Sequence, residues 1–351
     1  MYYFFNRTFF IRVLSNLFFN SFSLWREQDE NKNDKINDLS TGVHSPRNYS
    51  NFSSDPKHNK VINFWAISGF IDGEGSFNLS IYKDSSFYTG WRVKLIFKIA
   101  LHEREKGLLD LIKDFLQVGN ITKHGPQSIQ FRVSSLNDLE VLIKFLDKYP
   151  LITDKYADYV LFKKAFLLMR NKEHLTEQGL LKFVAIKASI NLGISPELKS
   201  AFPGIIPQDR PNVLESKIYP DWMRGFSSAE GCFLVNLPKS QSSKLKMKVQ
   251  LVFQLTQHSR DEKLMRSFID FFGCGNIFKD GNNFVFRVTK FNDIESRIIP
   301  FFRNYLILGV KYEDFKDFCL VASLVQQKKH LTSLGLDEIC EIKAGMNRGR
   351  K

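Results

Sequence analysis

The chain has 351 residues, 43% of them hydrophobic, enough for two compact domains plus extensions and too much for wholesale disorder. Lys and Arg total 50 against 37 Asp and Glu, a formal net charge of +13, which points to a polyanionic partner, nucleic acid or an anionic membrane. No run of about 20 apolar residues occurs, so no membrane span is expected. No G-x-x-x-x-G-K-[ST] phosphate loop occurs either, so no use of ATP is expected. Cys232, Cys274, Cys319 and Cys340 form no C-x-x-C pair and all lie in the C-terminal half. That spacing speaks against a zinc site or a disulfide framework, and the thiols read as reduced in an intracellular compartment.

The chain opens with MYYFFNRTFFIRVLSNLFFNSFSLW, which carries Arg7 and Arg12 among Phe, Leu and Ser; Arg26 follows, and the first acid is Glu27. Two readings stand: a mitochondrial targeting segment, or translated upstream sequence fused to the functional part. Residues 27 to about 60 are polar, rich in Asn and Ser, and lack apolar periodicity, so 1–60 reads as a flexible leader.

Beyond it the chain repeats itself. GFIDGEG (69–75) recurs as GFSSAEG (225–231), 156 residues on. Gly119-Asn120-Ile121, His174-Leu175-Thr176 and Ile186-Lys187-Ala188 recur at the same 156-residue offset. Phe131-Arg132-Val133 recurs at 155, a one-residue indel. An ordered series of this kind means a duplicated module. The boundaries are 61–194 and 218–351, joined over 195–217 by a linker that contains Pro196, Pro203, Pro207 and Pro211.

Each module reads as helix, two strands, helix, two strands, then helices. Asn63 to Phe70 is apolar at helical spacing; from 76 the period becomes two. Phe77, Leu79 and Ile81 alternate with Ser76, Asn78 and Ser80, and Val93, Leu95, Phe97 and Ile99 alternate with Arg92, Lys94, Ile96 and Lys98. In the second module the alternation predicts a strand over 244–255, with Lys244, Lys246, Lys248 and Gln250 on its polar face. Such strands are antiparallel, with one face buried. Arg132, Gln130 and Arg287 lie on later strands. A cationic sheet face also suits edge protection. Two related sheets of one sign are better explained by an anion, since like neighbours repel. A β-ribbon fits the major groove of DNA, where Arg and Lys read guanine and Asn or Gln read adenine. Ser76, Asn78, Ser80, Arg92, Lys94, Gln130, Arg132, Asn236, Lys244, Lys246, Lys248, Gln250 and Arg287 are the candidate DNA-binding residues.

The repeated G-x-x-x-[GA]-E-G motif places small residues four apart on one helix face, which permits close helix packing. Glu74 and Glu230 then emerge together at the negative ends of two helix dipoles. The two carboxylates also repel. A divalent cation resolves both problems, and an all-oxygen site suits Mg²⁺, with the carbonyls of Gly73 and Ala229 as further ligands. Metals clamped between carboxylates and a phosphate serve phosphodiester hydrolysis.

WAISGFIDGEGSF (65–77) and WMRGFSSAEGCF (222–233) resemble the motif of LAGLIDADG homing endonucleases, in the single-chain form with two motifs. The likeness extends over 61–349. It implies an α+β fold of two pseudo-symmetric αββαββα modules whose saddle-shaped antiparallel sheets grip duplex DNA, in a monomer that acts as a pseudo-dimer. It implies that Glu74 and Glu230 bind the catalytic metal, with a polar residue ending the second strand of each module, Lys98 and Gln254, near the scissile phosphates. Lys155 and Lys311, each 81 residues after its acid, match the family's basic residue before a later helix. A role in polarising water or stabilising phosphate charge follows. It further implies an intron-encoded mitochondrial enzyme that spreads its intron by a DNA break. An RNA-binding maturase that assists splicing, or an inactive DNA-binding relic, are the alternatives. The motif departs from the pattern at Arg224, Ser227 and Ser228, the last standing opposite Asp72. The repeated His174 and His330 are read as parts of helix-capping segments with Thr176 and Thr332.

Overall fold

Asn63 opens the first helix, α1 (Phe64–Glu74), by accepting the Ala66 N–H on its side chain at 2.9 Å. Its counterpart α7 (Pro220–Glu230) starts on Pro220, whose fixed φ suits the first helical position. Both stop at a glycine that turns directly into a strand. A Cβ on Gly75 would stand 2.7 Å from the Ile71 carbonyl oxygen, and one on Gly231 2.4 Å from that of Ser227. The glutamates are thereby fixed at the last helical residue, against the sheet.

The structure, a computed structural model, describes residues 63–213 and 217–350. The leader and its targeting segment, expected over 1–60, lie outside the described residues.

After α1, the first module runs β1 (Gly75–Lys83), β2 (Trp91–His102), a 3-10 turn (Glu103–Glu105), α2 (Lys106–Leu116), β3 (Asn120–Gly125), β4 (Ser128–Val133), α3 (Leu136–Lys148), α4 (Lys155–Arg170) and α5 (Glu177–Ser189). A short helix α6 (Pro196–Ala201) lies in the connection. After α7 come β5 (Gly231–Asn236), β6 (Gln250–His258), a 3-10 turn (Ser259–Asp261), α8 (Glu262–Phe272), β7 (Asn276–Asp280) and β8 (Asn283–Val288). A π turn (Ile294–Ile298), α9 (Ile299–Asn304), α10 (Lys311–Gln326) and α11 (Ser333–Ala344) complete it. Each module has one four-stranded antiparallel sheet, in the orders β1-β2-β4-β3 and β5-β6-β8-β7. The expected αββαββα order and half-buried sheets are what is found.

Phenylalanines fill the inward faces: Phe77, Phe97 and Phe131 in the first sheet, Phe233, Phe253 and Phe286 in the second. Each module has its own core, but the cores exchange residues. Ile152 of the first packs in the second, and Leu308, 156 residues later, packs against the first. The helices α1 and α7 form the seam. A Cβ on Gly69 would meet the Trp222 carbonyl oxygen at 2.1 Å, and one on Gly225 that of Ala66 at 1.9 Å. Only glycine allows backbones this close.

One expectation is corrected. The strand predicted over 244–255 begins at Gln250, and Lys244, Lys246 and Lys248 precede it. Pro238 cannot donate to a ladder, and Lys246 adopts a left-handed φ of 58°. The hairpin keeps its register beyond the break: Asn236 faces Gln250, Lys248 N donates to Pro238 O at 3.0 Å, and Lys239 bridges Met247. Val252, in phase with Gln250 and Gln254 on the outward face, is nonetheless buried.

Candidate active site and nucleic-acid interface

The two glutamates close the seam helices side by side. A Cβ on Gly73 would lie 2.2 Å from the Ala229 Cβ and 3.5 Å from Glu230 Oε1, so the end of α1 rests against the carboxylate of α7. Burial pushes the pKa of both Glu74 and Glu230 up, and for Glu74 repulsion from Glu230 adds to it. Lys155 and Lys311 oppose this, in a crossed pattern. Glu74 feels Lys311 more than Lys155, whereas Glu230 feels Lys155 more than Lys311 and also takes a hydrogen bond from Gln257.

Both lysines are half-buried, and loss of solvent pushes their pKa down against the pull of the surrounding carboxylates. Their ammonium groups cap the seam helices. Lys155 Nζ donates to Gly73 O at 2.6 Å and to Ile71 O at 3.1 Å, and Lys311 Nζ donates to Ala229 O at 2.7 Å. A cation here offsets the negative helix end on which each glutamate sits. The carbonyls predicted as metal ligands thus already hold a lysine each, with a second lone pair left over. The donor set at the seam, two carboxylates and two carbonyls, is all hard oxygen, as Mg²⁺ or Ca²⁺ requires. No group of three or more His, Cys, Asp and Glu side chains converges for a metal among the described residues.

Asp72 and Ser228 turn out to serve the seam. Asp72 is fully buried and accepts from Ile152 N (2.9 Å), Thr153 N (3.3 Å), Thr153 Oγ1 (2.6 Å) and, across the seam, Trp222 Nε1 (2.8 Å). Burial raises its pKa, and these donors oppose the rise. Ser228 plays a smaller version of the same part, accepting from Leu308 N at 2.8 Å. The departure from the motif therefore keeps its acceptor.

The outward sheet faces carry matching polar rows beside the glutamates. Ser76, Lys98, Arg132 and Asn120 are successive cross-strand partners in the first sheet; Cys232, Gln254, Arg287 and Asn276 are the same positions in the second. Arg287 Nε donates to Gln254 Oε1 at 3.2 Å. Asn78 sits opposite Ile96, Ser80 opposite Lys94 and Gln130 opposite Ala100, and Gln130 Nε2 donates to Thr122 Oγ1 at 3.1 Å. Arg92 is drawn into the hairpin loop, 2.7 Å from Asp84 and over the ring of Phe87. Asn236 and Gln250 end the second sheet as exposed partners. Asn120 and Asn276 were missed from the sequence, although both sit in the repeated Gly-Asn-Ile; so was Gln257, whose counterpart is Leu101 and which therefore leaves no repeat signal. His174 and His330 precede Thr176 and Thr332, whose hydroxyls accept the N–H of Gly179 and Gly335 as helix caps.

Two fused copies of one helix-and-sheet module, joined through a glycine seam that ends in paired, half-buried glutamates, define a pseudo-dimeric class with one composite site. The profile of the LAGLIDADG endonuclease family matches residues 67–166 and again 223–322, and the chain belongs to that family. It is 41% identical over 284 residues to probable intron-encoded endonuclease 3 of Neurospora crassa, a match that covers 79% of this chain and 53% of that protein. The chain thus spans about half the length of that relative. It is 46% identical to the LAGLIDADG homing endonuclease I-SmaMI solved on cleaved DNA, with a TM-score of 0.81, covering 84% of this chain and 99% of that one. The same endonuclease, solved on an uncleaved DNA target in the presence of calcium ions, superposes with a TM-score of 0.80 at 46% identity, covering 82% of this chain and 99% of that one.

Proposed function

We propose that the chain is a site-specific double-strand DNA endonuclease that works as a monomer with Mg²⁺, encoded within a mobile intron and acting in the mitochondrion to spread it. The observation that carries the reading is the pair of half-buried glutamates, raised in pKa and flanked by Lys155 and Lys311, beside two sheets whose outward faces carry matching polar rows. In this reading Glu74 and Glu230, with the Gly73 and Ala229 carbonyls, hold the divalent metal. When bound, it supplies positive charge to the phosphate and to the attacking and leaving oxygens.

The protein's own residues do the rest. Lys155 and Lys311 hold half-buried positive charge beside the glutamates, where reduced solvent screening strengthens its pull on a phosphate. Lys98 and Gln254, next along the outward face, orient water or a phosphate oxygen. Ser76, Asn78, Ser80, Lys94, Gln130, Arg132, Asn236, Gln250 and Arg287 face the groove, and Lys244, Lys246 and Lys248 reach the flanking backbone from the hairpin. The halves are not equivalent, since Lys98 stands opposite Gln254 and Gln257 opposite Leu101. The two strands should therefore be cut at different rates.

The test is selection of a cut site from a randomised duplex library with Mg²⁺, comparing wild type with Glu74→Gln and Glu230→Gln. A discrete double-strand cut that both variants lose, while still binding the selected duplex, supports the reading. Tight, specific binding without a cut by wild type would make the protein a binding relic. Binding and splicing of its own intron RNA, with no action on DNA, would make it a maturase.

A further inference from the structure

The N-cap residues of the two lysine-bearing helices, Asp154 before α4 and Val310 before α10, supply no side-chain cap, although in the first module Thr153 Oγ1 accepts from Lys155 N at 3.2 Å. A helix start leaves backbone N–H groups without partners, and a buried one needs an acceptor. Here the acceptor comes from the other module. Asp154 N donates to Asp261 Oδ1 at 2.7 Å, and Val310 N donates to Glu105 Oε2 at 3.0 Å and Oε1 at 3.3 Å. Asp261 follows Glu105 by 156 residues, and Val310 follows Asp154 by the same offset, so the exchange is reciprocal. A Cβ on Gly309 would stand 2.3 Å from Glu105 Oε2, so the glycine leaves room for the carboxylate.

Both acids close the 3-10 turns that follow β2 and β6 directly. His102 and His258 hold these turns, their Nδ1 atoms accepting from Arg104 N and Arg260 N. The arginines cross the seam as well. Arg260 pairs with Asp154 Oδ2 at 3.0 Å, and Arg104 Nη1 donates to Arg350 O at 3.0 Å, while the guanidinium of Arg350 holds Asp314 on α10 at 3.0 Å. The outward-facing second strand of each module thus runs straight into a brace on the other module's lysine helix.

We propose that Glu105 and Asp261 are positioning residues that act in trans, Glu105 fixing the helix of Lys311 and Asp261 that of Lys155, so that neither half of the site is set without the other module. This deepens the endonuclease reading and rests on it. The test resolves the two DNA strands. On a duplex labelled separately on each strand, nicking rates are measured for Glu105→Ala, Asp261→Ala, Lys311→Ala and Lys155→Ala. Glu105→Ala should slow the same strand as Lys311→Ala, and Asp261→Ala the same strand as Lys155→Ala, each by about tenfold. DNA affinity in Ca²⁺ should stay within about threefold, because the loss falls on turnover. Glu105→Gln and Asp261→Asn keep an oxygen acceptor and should recover most of the rate. A shared strand between Glu105→Ala and Lys155→Ala, equal slowing of both strands, or amide variants as slow as alanine would each overturn the proposal. Hydrogen exchange of the DNA-free protein reads the brace without cleavage: Glu105→Ala should speed exchange over 310–314 and Asp261→Ala over 154–158. Crossed exchange in a protein that cuts no DNA would retire the endonuclease reading and keep the brace. Same-module exchange, or none, would retire the brace whatever the cleavage result.

Discussion

Replacing Gly225 with alanine tests the seam on which the site is built. The added Cβ would stand 1.9 Å from the Ala66 carbonyl oxygen and 2.9 Å from Phe70 N, where ordinary contact begins at 3.4 Å. The obstacle is backbone on a buried helix, so no side chain can swing away. The helices must part by about an ångström or more, and overpacking of this kind costs roughly 1–3 kcal/mol. At about 2–4 °C per kcal/mol for a protein of this size, Tm should fall by several degrees. Cleavage should fall further than stability, because the same two helices end in Glu74 and Glu230. A displacement of about 1 Å can cost a hundredfold in rate. The assay pairs thermal unfolding with single-turnover cleavage. Gly107→Ala is the control: Gly107 lies inside α2, and its Cβ would meet nothing within 4 Å. It should stabilise by about 0.5–1 kcal/mol, since alanine loses less backbone freedom in a helix. A Gly225→Ala protein with unchanged Tm and unchanged cleavage would refute the close crossing.

Burial pushes Asp261 up to about 6, with repulsion from Asp72 and Asp154 added and with the Asp154 N–H and Arg260 opposing. The folded state then binds this proton more tightly than the unfolded chain, so stability is lost as pH rises from about 4 through about 6, on the order of 3 kcal/mol. Melting of Asp261→Asn against wild type should therefore show a difference that grows in the variant's favour across that window; a pH-independent difference would contradict it. Charge reversal of Lys246 and Lys248 should weaken DNA binding and reduce the slope of log K against log salt by about one for each phosphate no longer neutralised. Unchanged affinity would remove the hairpin from the interface.

Much of this protein was legible in the chain because it is written twice. The 156-residue offset marks the modules, pairs Glu74 with Glu230 and Lys155 with Lys311, and the period-two runs separate buried Phe77, Leu95 and Phe97 from outward Asn78, Lys94 and Lys98. These are local properties: a strand shows one face or the other to water, and a residue's own type records which. What crosses between modules is recorded nowhere locally. Alternation ran on through Lys244–Lys248, yet Pro238 on the partner strand interrupts the ladder there. Asp72 looked like a motif residue with a lost counterpart, until Trp222, Ile152 and Thr153 were brought to it. Nothing in the sequence singles out Glu105 and Asp261, and only the packing of one module on the other sets them beside the helix starts at Val310 and Asp154. Sequence alone thus determined the repeat, the order of the elements and the candidate residues that the repeat marks twice. Tertiary structure decided which lysine and which carboxylate serve which helix, because a hydrogen bond between residues 82 to 205 positions apart depends on the fold that brings them together.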